Sequence, residues 1–119
     1  MEERLIIKDV IGSTLAVSSE KAMTVFDKIK SNINSEIVTI VDFSDIKSLT
    51  TAFLNVAIGE LYRLVDNRDT LNKLVRIDVT TLSAVQFEKV KLVMNNSRSK
   101  YSTSLKRRID EVTLHGDTN

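Results

Sequence analysis

The feature that most constrains this sequence is the run at residues 37–41 (Ile-Val-Thr-Ile-Val), which is β-branched throughout and apolar except for the threonine. Such a run is typical of a strand that is buried on both faces. A mainly polar loop follows over 42–48, and a largely apolar segment follows over 53–65. As a helix, that segment would be apolar around most of its circumference and must be covered. We therefore predict a buried strand, a polar loop and a buried helix, with Thr50 or Ser48 as the helix N-cap.

Length and composition restrict the chain to one domain with one core, which we place at residues 1–114, followed by a flexible tail at 115–119. The chain has no cysteine, which excludes a disulfide framework and a cysteine zinc site. Its single histidine, His115, argues against a histidine metal site or a catalytic triad. We therefore expect no metal, no cofactor and no enzymatic activity.

No apolar run approaches the length of a membrane span, and the N-terminus lacks the basic start and apolar middle of a signal peptide. We therefore expect a soluble, cytoplasmic protein that does not bind a membrane.

The first elements are predicted from turn residues and helical spacing. Residues 5–11 suggest a strand, Gly12 and Ser13 a turn, and residues 14–17 a returning hairpin strand. After the candidate N-cap pair Ser18–Ser19, one helical stripe of apolar residues follows: Ala22, Val25, Phe26 and Ile29. We expect that helix to end at residues 32–35.

Later elements complete an α/β pattern. Residues 66–70 are predicted as a polar connector, and residues 74–79 alternate as a strand near a sheet edge. Ser83 and Gln86 have the capping-box spacing, so a helix starts there with Phe87, Val90 and Met94 inside, and a last amphipathic segment follows at 105–112. The predicted order is β-β-α-β-α-β-α-α. This order indicates a mixed sheet of about four strands with helices packed mainly on one face.

The central segment also resembles a known family. Residues 41–46 (Val-Asp-Phe-Ser-Asp-Ile) and 49–54 (Leu-Thr-Thr-Ala-Phe-Leu) are similar to the signature of STAS-like domains of unknown function. These domains are distant relatives of bacterial anti-sigma-factor antagonists, which carry a strand ending in Asp-hydrophobic-Ser, a short loop and an Asp-Ser-Ser-Gly-type segment that opens a helix. The element order agrees along most of the chain.

The resemblance implies a non-enzymatic regulatory module for protein–protein interaction in a partner-switching system. The implied partner is an ATPase-type kinase or an anti-sigma factor, and the implied partner-binding residues are Asp42, Ser44, Thr50, Thr51, Phe53 and Asn55. The acceptor serine of the antagonists falls at Ala52, which has no hydroxyl. We therefore expect classical phosphorylation to be absent, and Thr51 and Thr50 remain as candidate acceptors.

Simpler structural roles are predicted for the same residues. Thr50 and Thr51 suit an N-cap and a first turn, and Asp42 suits an Asx turn in the loop after its strand. Asp42 with Asp45 is a carboxylate pair with no histidine or third acid nearby in sequence, which argues against metal binding and acid–base catalysis. Gly59, inside a helix, indicates close packing against a neighbour.

A basic tract supports a different function. Between residues 89 and 108 the sequence has seven cations and no acid: Lys89, Lys91, Arg98, Lys100, Lys106, Arg107 and Arg108. If these shared one face, the domain would be a nucleic-acid-binding accessory domain with salt-sensitive affinity. The tract spans two helical segments, Asp110 and Glu111 follow it, and the net charge is only +1. We therefore favour a solvated face or a surface for an acidic protein. Sheet edges would also allow a homodimer, although no heptad pattern specifies one.

Overall fold

The computed structural model describes residues 1–65 and 68–98. Its central strand, β3 (Val38–Asp42), lies between β1 (Glu2–Ile6) and β5 (Val75–Ile77), and both neighbours run parallel to it. A tight turn cannot join parallel neighbours, so each connection must cross over the sheet through other elements. This requirement decides where the helices lie.

Two crossovers and a C-terminal helix make up the rest of the described chain. The path from β1 to β3 runs through α1 (Ile7–Ile11), β2 (Leu15–Ala16) and α2 (Ser19–Asn34). The path from β3 to β5 runs through β4 (Ser48–Leu49), α3 (Thr51–Leu54), a π-helix (Asn55–Gly59), α4 (Leu61–Leu64) and α5 (Arg68–Leu74). A 3₁₀ turn (Val79–Thr81) and α6, described over residues 84–98, follow β5. None of the helices in this part of the chain is long and apolar enough to cross a membrane.

The three-stranded sheet is covered by helices on one face. Thr39 and Val41 point to that face and are completely buried, and Asn32 of α2 donates a hydrogen bond to the Thr39 hydroxyl at 3.0 Å. Ile40 points to the opposite face and is only half-buried, because its neighbours there include the charged Arg4 and Arg76. In the described residues, helices thus pack mainly on one face, as predicted, but β3 is less enclosed than its sequence suggested.

The predicted N-terminal hairpin is wrong. Residues 7–11 form a helix, and Leu15–Ala16 pairs in parallel with Ser48–Leu49 rather than returning along β1. Ile7 and Ile11 have the spacing of one helix face and both are buried, so tertiary packing selects a helix. Gly12, with φ of +66°, ends it in the left-handed conformation that glycine adopts without strain. The described strands therefore form parallel sheets of three and two strands, not one mixed sheet of four.

The predicted α2 and the start of α6 are confirmed. The whole apolar stripe of α2 is buried, and the Ser18 hydroxyl accepts from the amide of Lys21 at 3.2 Å. At α6 the capping box is complete: Gln86 N donates to Ser83 Oγ at 3.2 Å, and Ser83 N donates to Gln86 Oε1 at 3.0 Å.

Other boundaries differ from the prediction. Part of the expected connector at 66–70 belongs to α5, and β5 is shorter than 74–79 because Val79 begins the 3₁₀ turn. Helix α6 is described as far as residue 98, and Phe87 of its predicted inner stripe is partly exposed. The amphipathic segment at 105–112 and the tail at 115–119 lie outside the described residues.

Gly59 lies where the π-helix meets α6, and the close packing predicted for it is confirmed. A Cβ atom at this position would lie 2.6 Å from the Ser97 hydroxyl oxygen and 3.5 Å from a Val93 methyl carbon. The first distance is shorter than a real contact, whereas the second is ordinary. Ser97 is buried, so its hydroxyl is the group that requires a glycine at position 59.

We expect the effect of Gly59→Ala on stability to depend on Ser97. In the parent chain, the clash with Ser97 should cancel or reverse the gain in helix propensity that alanine brings. In a Ser97→Ala background, Gly59→Ala should stabilise the protein by about 0.5–1 kcal/mol. Urea unfolding of the four chains of this cycle measures the coupling. As a control, Gly12→Ala should cost about 1 kcal/mol or more in both backgrounds, because its strain is local. Equal effects of Gly59→Ala in the two backgrounds would contradict the proposed packing.

Candidate functional site

The start of α3 is positioned by the two-stranded sheet. Lys47 N donates to Thr14 O at 2.8 Å, and Thr50 N donates to Ala16 O at 3.2 Å, so the chain is held on β2 immediately before the helix begins. Thr50 itself is extended, with φ of −104° and ψ of 155°. The second sheet is therefore the support on which the first turn of α3 is built.

Thr50 is the N-cap of α3. Its hydroxyl accepts a hydrogen bond from the backbone amide of Phe53 at 3.1 Å, which satisfies one of the free amides of the first turn. Ser48, the alternative cap, lies in β4 instead. The structural role predicted for Thr50 is thus the one observed.

The remaining predicted residues of this turn divide between the core and the surface. Phe53 and Leu54 are completely buried, so Phe53 has no surface to offer a partner, and its predicted contact role is replaced by a core role. Thr51 is half-buried, whereas Ala52 and Asn55 are exposed. The side chains of Thr51 and Asn55 make no hydrogen bond within the described part of the chain. We call Thr51, Ala52 and Asn55 the outer turn.

A groove of about 360 Å³ begins beside Thr50, between β4 and the start of α6. Two apolar side chains that line the groove are exposed to solvent: Val17 is 43% exposed and Val85 is 65% exposed. Lys47 and Lys89 are its charged residues among those that the structure describes, and no acid is among them. Thr50 lines the groove and directly precedes the outer turn, and we call the groove and the outer turn together the docking face.

Helix α6 fixes the far wall of this groove through two hydrogen bonds to backbone carbonyls. Gln86 Nε2 donates to Ile46 O at 2.9 Å, and Lys89 Nζ donates to Leu49 O at 2.9 Å. Both acceptors lie in the segment that leads into α3. The position of α6 is therefore tied to the position of the outer turn.

Asp42 forms the predicted Asx turn and an ion pair that the sequence did not suggest. Its Oδ1 accepts from the amide of Ser44 at 2.8 Å, so Asp42 and Ser44 shape the loop. Its Oδ2 lies 3.0 Å from Arg4 Nη1, and the same nitrogen lies 3.0 Å from Asp78 Oδ2. We call these three side chains the Arg4 bridge. It joins residues of β1 and β3 to the residue that follows β5, whereas Asp45 pairs separately with Lys8 at 2.9 Å.

The pKa values of both carboxyl groups in the Arg4 bridge are lowered. Burial acts to raise the pKa of Asp42, but hydrogen bonds from Ser44 and the ion pair with Arg4 together outweigh it. Hydrogen bonds from Thr80, followed by the contact with Arg4, lower the pKa of Asp78. Both acids are therefore held in the charged form. Arg4 and Asp78 could not be found from sequence because they lie 74 residues apart.

The described cations of the basic tract do not all share one face. On α6, Lys91 and Arg98 lie about 180–200° around the helix axis from Lys89. Lys89 is bound to Leu49 O, Lys91 lies 3.7 Å from Glu88, and Arg98 donates to Asn95 Oδ1 at 2.8 Å. The other four cations, Lys100, Lys106, Arg107 and Arg108, lie outside the described residues.

Comparison with protein families identifies the family of this chain. A family model described as a STAS-like domain of unknown function (DUF4325) matches residues 22–83, just over half of the chain. The chain belongs to this family. The match runs from α2 to the capping serine of α6, so the STAS-like region contains Asp42, the outer turn and Asp78 but not the basic tract. Searches of curated proteins and of solved structures found no significant match.

The Arg4 bridge should make the stability of this STAS-like domain sensitive to acid. A carboxyl group whose pKa is lowered by folding stabilises the folded state above its ordinary pKa of 3.8, and that contribution is lost as pH falls through the folded-state value. We expect Asp78→Asn to lower the free energy of unfolding at neutral pH and to make its decline below about pH 4 shallower. Asp27→Asn, on the exposed side of α2, is the matched control. Identical pH profiles for the two variants would exclude this role of Asp78.

The N-cap can be tested separately. Thr50→Ala should reduce the free energy of unfolding by about 1 kcal/mol, because the amide of Phe53 loses its acceptor. Thr50→Ser keeps a hydroxyl acceptor and should retain most of that stability. Thr51→Ala removes a neighbouring hydroxyl that makes no hydrogen bond in the described structure, so its effect should be within about 0.5 kcal/mol. Chemical denaturation measures all three, and a larger loss from Thr51→Ala than from Thr50→Ala would reverse this assignment.

Proposed function

We propose that this STAS-like domain is a regulatory module for protein–protein interaction, resembling an anti-sigma-factor antagonist in a bacterial partner-switching system. In this proposal it acts in the cytoplasm by binding alone, without catalysis. The partner is an ATPase-type kinase or an anti-sigma factor. The observation that carries the proposal is the docking face, where an exposed first turn lies next to a groove with open apolar side chains.

Three properties of the docking face support binding to a folded protein. Phe53 and Leu54 anchor the outer turn in the core, so a partner can bind the turn without displacing it. Thr51 and Asn55 have side-chain hydrogen-bonding groups not used within the described residues. Val17 and Val85 offer apolar area, and Lys47 and Lys89 give the rim a positive charge. The face thus suits a partner with apolar side chains surrounded by acids.

Phosphorylation is a separate part of the proposal. Ala52 stands where the antagonists carry their acceptor serine and cannot accept a phosphoryl group. Thr50 uses its hydroxyl as the N-cap, which leaves Thr51 as the better candidate of the two. A phosphoryl group on Thr51 would add about −1.5 to −2 charges to the docking face without opposing the helix dipole. Mass spectrometry of the protein isolated with its native partners would show whether Thr51 or Thr50 carries phosphate.

The nucleic-acid alternative gains no support from the described part of the basic tract. Lys89 lies on one side of α6 and donates to Leu49 O, whereas Lys91 and Arg98 lie on the other side, so the three do not form one basic surface. A titration with nucleic acid at two salt concentrations tests it, since phosphate contacts would make the affinity fall steeply with salt.

The docking face is tested by titrating the purified domain with an ATPase-type kinase or anti-sigma factor encoded near its gene. Ala52→Arg and Thr51→Glu both change side chains on the outer turn while leaving Phe53 and the N-cap in place. We expect each to weaken binding by about tenfold or more, because Ala52→Arg places a bulky side chain in the contact and Thr51→Glu places a negative charge opposite an acidic partner. Higher salt should also weaken binding to an acidic partner.

Ser31→Glu is the matched control, because it introduces the same glutamate on an exposed position of α2. Ser31 lies twelve residues beyond the first residue of α2, about 18 Å along the helix. The affinity of the Ser31→Glu variant for the partner should remain within about twofold of that of the parent chain. Unchanged affinity for both outer-turn variants, with their folding confirmed by circular dichroism, would rule out this face as the contact.

A further inference from the structure

A second surface of this domain, on the other side of α6, has the form of a ligand site. A cleft of about 520 Å³ lies between α4, α5, β5 and α6. That volume is within the range of small-molecule sites in proteins, about 300–1,000 Å³. The cleft shares no lining residue with the groove of the docking face, so the two surfaces are distinct.

The floor of the cleft is apolar and its mouth is open. Side chains from four elements form the floor: Leu61, Leu71, Ile77, Val90 and Met94. At the mouth, Val79 is 52% exposed and Phe87 is 38% exposed. Large apolar side chains left open in one concave region, with polar residues around them, are typical of a ligand groove.

The charged residues that line the cleft are both cations. Arg76 and Lys91 have side chains that are 61% and 55% exposed, and none of the described lining residues is acidic. Each has a glutamate neighbour outside the cleft, Glu2 at 3.8 Å and Glu88 at 3.7 Å. These separations exceed hydrogen-bond length, and exposed pairs of this kind are weak. Lys91 Nζ also lies 5.8 Å from the centre of the Phe87 ring at the mouth. None of these contacts is a short hydrogen bond, so each cation can exchange its contact for an ion pair with an anion at the mouth.

We propose that this cleft binds an amphiphile with an unbranched hydrocarbon chain and a carboxylate, of which a medium-chain fatty acid is the simplest example. The chain would lie against the floor formed by Leu61, Ile77 and Val90. The carboxylate would remain at the mouth, where it would pair with Arg76 and Lys91. Burial of the chain supplies affinity, and the two cations select an anionic head group.

The test uses the full chain and three probes with the same ten-carbon chain: decanoate, decanol and decyltrimethylammonium, each below its micelle concentration. Calorimetry measures affinity, and amide chemical shifts in NMR spectra locate the bound probe. We expect one decanoate per chain, with shift changes at β5 and α6 around Ile77 and Val90. Decanol should bind about tenfold more weakly, and the cationic probe more weakly still.

Replacing the two cations separates specific binding from general attraction to apolar surface. Arg76→Gln combined with Lys91→Gln should weaken decanoate binding by about tenfold, whereas the affinity for decanol should stay within about twofold of that of the parent chain. Lys30→Gln, an exposed cation of α2 that does not line the cleft, should change neither. Three outcomes overturn the proposal: no saturable decanoate binding, equal affinity for decanoate and decanol, or shift changes confined to residues outside the cleft. None of these outcomes bears on the docking face, so the two proposals fail independently.

Discussion

Strand β3 is paired on both edges by parallel neighbours, and this arrangement determines the path that most of the chain takes. Each parallel neighbour must be reached by a crossover, and in the described structure both crossovers bring helices to the face that carries Thr39 and Val41. The ends of β1, β3 and β5 then meet at one edge of the sheet. Asp42 and Asp78 lie at that edge, where two acids would repel each other without the cation that Arg4 places between them. The loop that leads toward α3 starts from this same edge.

Sequence patterns predicted the elements whose signals are local. The stripe of α2, its Ser18 cap and the capping box at Ser83 each depend on residues within one or two helical turns, and all are observed. The run at Ile7, Val10 and Ile11 could not be assigned in this way, because its spacing fits a helix face and its apolar character fits a buried strand. The pairing of β2 with β4 could not be predicted either, because strands of two residues are too short to show an alternation of apolar and polar residues.

The candidate site shows the same division. The sequence located the N-terminus of α3 and offered Thr50 as a cap, but it could not decide which side of an almost wholly apolar helix faces outward. That choice depends on what packs against it, and the core takes Phe53 and leaves Ala52 at the surface. The Arg4 bridge is set by strand register, which places Arg4 beside Ile40 and brings its side chain to the acids at the strand ends. No pattern within a single element contains that information.

Helix α6 has a different neighbour on each side. Gln86 and Lys89 hold the segment that enters α3, while Phe87, Val90 and Met94 form part of the cleft wall. A helix moves more nearly as a rod than as separate residues, so a shift of α6 along or around its axis would alter both sides at once. Under the two proposals above, a ligand that favours one placement of α6 would change the affinity of the other proposed surface, and thermodynamic linkage would make that influence equal in both directions. One helix would then couple the two proposed sites.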